Sequence, residues 1–177
     1  MIQGDGFDAD AFLAFAAASA REDVLALLRR WIERGRASGA LLAAGDDAAS
    51  PVVARYVLEG QLVTVWTATP LGASGAPEIQ LRITDLLARV PAQDFDEIVG
   101  RFEAIPVIRT GLAEARAEGR DRATIVIMAR ELLAHPDHAE LLLDAIDRAV
   151  TSGPDALGPF RAFMSPYQWG ERGEHGG

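Results

Sequence analysis

The sequence predicts an α+β fold. A small antiparallel meander of three to four strands, about residues 40–83, is covered by two N-terminal helices and followed by a helical C-terminal half. Three observations lead there. β-Branched and aromatic residues crowd around a turn only between Pro51 and Thr69, PVVARYVLEGQLVTVWTAT. Glu78-Ile79-Gln80-Leu81-Arg82-Ile83 alternates polar with apolar residues, as a half-buried strand does. Most of the remaining chain repeats its apolar residues at helical spacing. A sheet face needs apolar cover, so the helices are expected to roof the hairpin.

Taken in order, Asp8 or Asp10 caps a first helix through Phe12, Leu13 and Phe15. Ser19-Ala20-Arg21-Glu22 has capping-box spacing and predicts a second helix to about Arg36, closed by Gly39. Val24, Leu28, Trp31 and Gly35 fall on one stripe of it, while Arg29, Arg30, Arg34 and Arg36 crowd its far end. Ala40 to Ala44 is a candidate extra strand.

For the hairpin, a three-residue loop of Leu58, Glu59 and Gly60 is expected, with Gly60 in the left-handed position. That sets Val57 opposite Gln61, Tyr56 opposite Leu62, Ala54 opposite Thr64 and Val52 opposite Trp66. One face then gathers Val52, Tyr56, Leu62 and Trp66 for the core. The strand at 78–83 is expected at a sheet edge, because its outward side is charged.

Beyond the meander, Thr84 caps a short turn, and Asp94-Phe95-Asp96-Glu97 predicts a helix to about Ala104. Pro106 opens another, ended by Gly119. Asp121 is read as the cap of a helix over Arg122 to Ala134, on the spacing of Ile125, Met128, Leu132 and His135, although the β-branched run in Ala123–Ala129 also fits a buried strand. Pro136 starts a further helix carrying Leu141, Leu142, Ala145, Ile146 and Ala149. Leu157, Phe160 and Phe163 keep helical spacing in the last stretch. Residues 1–165 are expected to form one domain, and 166–177 a flexible tail.

At 177 residues, 49% apolar and 24% charged, the chain has the composition of a soluble globular protein. It has no Lys and no Asn, whose codons are AT-rich, which fits a GC-rich bacterial genome. Without cysteine there is no disulfide, thiol nucleophile or thiolate metal site. The net charge is −9, and 17 Arg are dispersed among 26 acids. Binding a phosphate backbone needs clustered cations, so nucleic acid is not an expected partner. No apolar run is long enough to span a bilayer, and the start lacks a positive region ahead of an apolar core. No membrane association is expected, and the expected location is cytoplasmic.

Residues that carry chemistry are sparse. His135-Pro136-Asp137-His138 sets two imidazoles three apart, the weak candidates for a metal, although zinc prefers three or four convergent ligands. Asp46 and Asp47, with Glu59, are the weak candidates for acid–base work, and Arg55 or Arg82 for holding an anion. Adjacent carboxylates in a turn also fit turn chemistry alone. Glu140, Asp144 and Asp147 read as a solvated helical stripe, with Arg148 in reach of Asp144. No nucleophile-elbow or phosphate-loop pattern occurs, and no cofactor is implied. Tyr167 and Trp169 lie outside any periodic pattern and are candidates for partner contact, together with Arg29 and Arg30.

Three functions fit these residues. The first is a non-catalytic protein–protein interaction module of adaptor, immunity or chaperone type, its partner another protein or itself. The second is a small enzyme or ligand-binding protein with a pocket between sheet and helices. The third is metal binding at the His135/His138 junction.

Overall fold

A computed structural model describes residues 8–18, 20–44, 49–72, 75–119 and 124–152. Within these the chain forms helices α1 (Ala9–Ala17) and α2 (Glu22–Ala37), then strands β1 (Leu41–Ala43), β2 (Val52–Leu58), β3 (Gln61–Thr69) and β4 (Glu78–Leu81). Helices α3 (Ile83–Leu87), α4 (Ala92–Glu103) and α5 (Pro106–Ala117) follow, then β5 (Ile125–Met128), α6 (Ala129–Ala134) and α7 (Pro136–Thr151). The five strands form one antiparallel sheet in the order β1-β2-β3-β4-β5. This is the expected α+β arrangement, with helices at the N-terminus and a helical C-terminal half.

The strand content differs from expectation in one element. Residues 125–128 are β5, not helix, and they pair with β4, so the strand beginning at Glu78 is interior rather than at the edge. The pattern Ile125, Ile127 buried against Val126 exposed is the period of two, which a four-residue apolar run hides inside a plausible helical spacing. The partner decides between them. β4 offers the row of N–H and C=O groups on the side away from β3, and an unpaired row in a core is costly.

The hairpin turn also differs. Glu59 (φ 50°) and Gly60 (φ 73°) are both left-handed, and Leu58 pairs directly with Gln61, so the loop has two residues. This double left-handed conformation matches the right-handed twist of the strands, and Glu59 accepts the strain that usually favours Asn or Gly there. Tyr56 therefore stands opposite Val63 and Val57 opposite Leu62. The register shifts by one between Ala54 and Arg55, where Val65 is the extra residue, so Ala54 meets Trp66 and Val52 meets Ala68. Leu62 leaves the core as a result and is 45% exposed, while Tyr56 and Trp66 stay buried.

The helices cover one face of the sheet. Trp31 of α2 meets Trp66 edge to face, ring centroids 6.3 Å apart at 86°, and both are essentially inaccessible. Such a pair adds about 0.5–1.5 kcal/mol beyond its buried area. Among the described residues the indole N–H of Trp31 finds no acceptor, so its packing there is through surface rather than hydrogen bonding. α3 packs on β3, α5 and α6 reach β5, α1 lies on α2, and α4 lies on α7. Phe102, Ile98, Ile105 and Ile108 fill the C-terminal side of the same core.

Helix ends follow local chemistry with small displacements. Asp8 caps α1 through Oδ1, which accepts from Asp10 N and Ala11 N at 3.0 Å each. α2 starts at Glu22, with Arg21 rather than Ser19 in the capping position, and α4 starts at Ala92 behind Pro91 rather than at Asp94. Glu22 and Asp94 thus sit in first turns, where the helix dipole favours acids. Proline opens α5 and α7 as expected, and Gly119 (φ 63°) follows α5.

Candidate functional site

The sheet has a second face, and among the described residues no helix lies on it. Alternation along the strands puts Leu41 and Ala43, Val53, Arg55 and Val57, Leu62, Thr64, Thr67 and Thr69, Gln80, Val126 and Met128 on that side. Leu62 and Val126 (47% exposed) are open, and Val53, Val57 and Met128 are half-buried. The chain after β3 folds over one end of this face. There Glu78 is buried at 6% exposure, accepting a hydrogen bond from Gln80 Nε2 at 3.0 Å. Gly72 lies so close to the Glu78 carboxylate that a β-carbon would not fit.

At the β5 edge the backbone turns outward. Ala129 N donates to Pro77 O at 3.1 Å, which fixes Ile127 and Ile125 as the residues bonded to β4 and leaves Val126 N–H and C=O pointing away from the sheet. α5 flanks this edge across a groove of about 420 Å³, walled by Val107, Thr110, Gly111, Glu114 and Val126. Gly111 permits the approach, because a β-carbon would come within 2.9 Å of Ile125 Cδ1. Among the described residues Glu114 is the groove's one titratable group, so these supply no acid–base pair.

A smaller hollow of about 210 Å³ opens at the α6–α7 junction, lined by Pro106, Val107, Glu131, Leu132, His135 and His138. The two imidazoles lie side by side, centroids 4.8 Å apart and tilted by 32°. Glu131 turns inward to accept from Met128 N at 3.1 Å, capping α6. Among the described residues no three His, Asp or Glu side chains converge as a metal set.

The charged candidates are drawn into the fold. Arg30 donates through Nε and a terminal nitrogen to both oxygens of Glu140, at 2.5 and 2.6 Å, and Arg34 bridges Asp144 (2.6 Å) and Asp147. These pairs tie α2 to α7. The acidic stripe on α7 is therefore an interhelix seam rather than merely solvated. The hydrogen bond from Arg30 holds the Glu140 carboxyl below its usual range. Arg148 does not take Asp144. It reaches Glu97 at 3.1 Å and Asp94 at 3.4 Å, tying α7 to α4, and Arg148 with Arg101 lowers the Glu97 carboxyl in the same way. Spacing along one helix could not show that a neighbouring helix supplies the nearer partner.

Arg29 is exposed on α2, Glu59 is exposed at the tip of the hairpin, and Arg82 lies 4.0 Å from Asp85. None of the three faces a hollow described above. Asp46, Asp47, Tyr167 and Trp169 lie outside the described residues, as do Ser19, Asp121 and the stretch after Ser152. Strand alternation in the sequence already makes the outer side of the hairpin, with Val53 and Arg55, a half-polar surface open to self-association, but Leu62, Gln80 and Val126 join it only once β5 and the bulge are placed. No protein-family model matches the sequence, and no curated protein or solved structure matches it. No described helix is long and apolar enough to cross a membrane.

Proposed function

We propose that this chain is a non-catalytic protein–protein interaction module, of adaptor, immunity or chaperone type, that works through the open face of its sheet. The occupant is a second copy of the chain, packed sheet against sheet. The observation that carries the reading is the open face itself. Among the described residues Arg55 is its one exposed ionised side chain, in a protein of net charge −9, and Leu62 and Val126 stand in solvent. A contact surface poor in charge and rich in aliphatic groups is what interface centres have.

Extent and symmetry support it too. Five strands spaced about 4.8 Å apart give roughly 24 Å of width, and strands of 3 to 9 residues give roughly 10 Å of length at the edges and roughly 30 Å at the centre. Side-chain relief raises that plan area toward the ~800 Å² per partner of an ordinary stable interface. A twofold axis presents the same patch on both sides, so charge repulsion between the acidic bodies is kept away from the contact.

Light scattering of the native chain over a concentration series tests this. A dimer is expected, and Leu62→Glu is expected to be monomeric with an unfolding midpoint shifted by no more than about 0.5 kcal/mol. A chain that stays monomeric at every concentration removes the self-contact. A stoichiometric partner in a native pull-down that Leu62→Glu still binds would move the function off this face.

A further inference from the structure

We propose that His135 and His138 form a two-imidazole binding site for a divalent transition metal of the zinc, copper and nickel class. The inference stands apart from the interaction reading and uses none of its residues.

Local geometry brings the rings together. α6 stops at Ala134, and Pro136 fixes the first turn of α7, which leaves His135 extended between them (φ −136°, ψ 77°). His138 N donates to His135 O at 2.9 Å, closing a turn that sets both imidazoles on one side of the junction. Two imidazoles on one tetrahedral ion, with metal–nitrogen bonds of about 2.0–2.1 Å, place their ring centroids roughly 5 Å apart. The rings here are 4.8 Å apart, close to that separation.

The nitrogens are also available. Among the described residues neither ring has a hydrogen bond or ion pair, and the rings contact each other. His135 is exposed and His138 half-buried, so neither serves as a core residue. Pro106, Val107 and Leu132 wall the hollow with apolar surface, and Glu131 adds an acid to its rim. No third ligand converges among the described residues, so water completes the coordination and binding is weak compared with a closed structural site. Imidazole ligands select zinc, copper and nickel over magnesium and calcium, which take oxygen.

The test is calorimetric titration of the full chain, without a histidine tag, with ZnCl2, NiCl2 and CuCl2. One ion per chain is expected, with copper the tightest. His135→Ala and His138→Ala are each expected to weaken binding at least about tenfold, as loss of half a chelate should. A fourfold or greater excess of MgCl2 or CaCl2 should not compete. In the unaltered chain, substoichiometric Ni2+ should broaden the His135 and His138 ring signals in an NMR spectrum before others, a readout independent of how the variants fold. Absence of saturable binding, binding unchanged in His135→Ala/His138→Ala, or binding removed by replacing only the third histidine of the sequence, His175→Ala, would each overturn the site.

Discussion

Gly35 packs against the edge of the Trp66 indole: a β-carbon at position 35 would stand 2.7 Å from its Cζ2. The absence of a side chain there lets α2 come down onto β3 while Trp31 closes from the side. Gly35→Ala gains about 1 kcal/mol of helix propensity and loses about 1–3 kcal/mol to overpacking against a rigid ring. A net loss is expected in denaturant unfolding. Trp66→Leu should make the same alanine harmless, which a double-mutant cycle would show.

Glu59 occupies the first left-handed position of the hairpin turn at φ 50°. Asn tolerates that conformation better than Glu does. Glu59→Asn is expected to raise stability by about 0.5–1 kcal/mol, read as a higher unfolding midpoint with an unchanged slope.

Tyr56 is buried beneath α2, and its hydroxyl lies 3.0 Å from Ser38 Oγ. Burial is the main cause that raises its pKa, with the Ser38 and Trp66 contacts opposing it. A phenol whose folded pKa is raised keeps its contribution below the unfolded value near 10.0 and loses it as pH climbs past that. Alkaline pH should therefore destabilise the protein. Ultraviolet titration should show one of the two tyrosines ionising late, and Tyr56→Phe should remove that component.

The ion pairs that tie α7 to α2 and to α4 predict a second pH effect of opposite sign. Glu140 and Glu97 have lowered pKa values, through their Arg30 and Arg148 hydrogen bonds first, so their stabilisation is present above about 4.5 and is lost as pH falls through the lowered values. The pairs are largely exposed and screened, so the acid effect should be small and smaller still in high salt. Glu140→Gln should flatten part of the fall in midpoint with acid. Arg34, which bridges two acids, should cost about 0.5–1 kcal/mol on replacement by Met.

Much of this was legible along the chain. Proline at the first turns of α5 and α7, Asp8 before α1 and the Val/Tyr/Trp-rich hairpin act within a few residues of themselves, so their signals survive without the rest of the fold. Leu62 and Ile125 were harder. Whether Leu62 is inside depends on one left-handed glutamate and on the bulge at Val65, and a shift of one residue exchanges the faces of a strand. Whether Ile125 is strand or helix depends on the vacant side of β4, which lies over forty residues earlier. The histidine pair was visible as a spacing, but its convergence came from the turn that His138 N makes to His135 O.

The order of elements as far as α5, the roof of helices over a hairpin and the two tryptophans at its centre came from the sequence by itself, because apolar periodicity and turn residues are local. Which face of the sheet is open, which strand stands at the edge beside α5, and which arginine meets which acid were decided only by the tertiary structure. Those depend on hydrogen-bond rows and charges brought together from distant positions, and no window along the chain contains both partners.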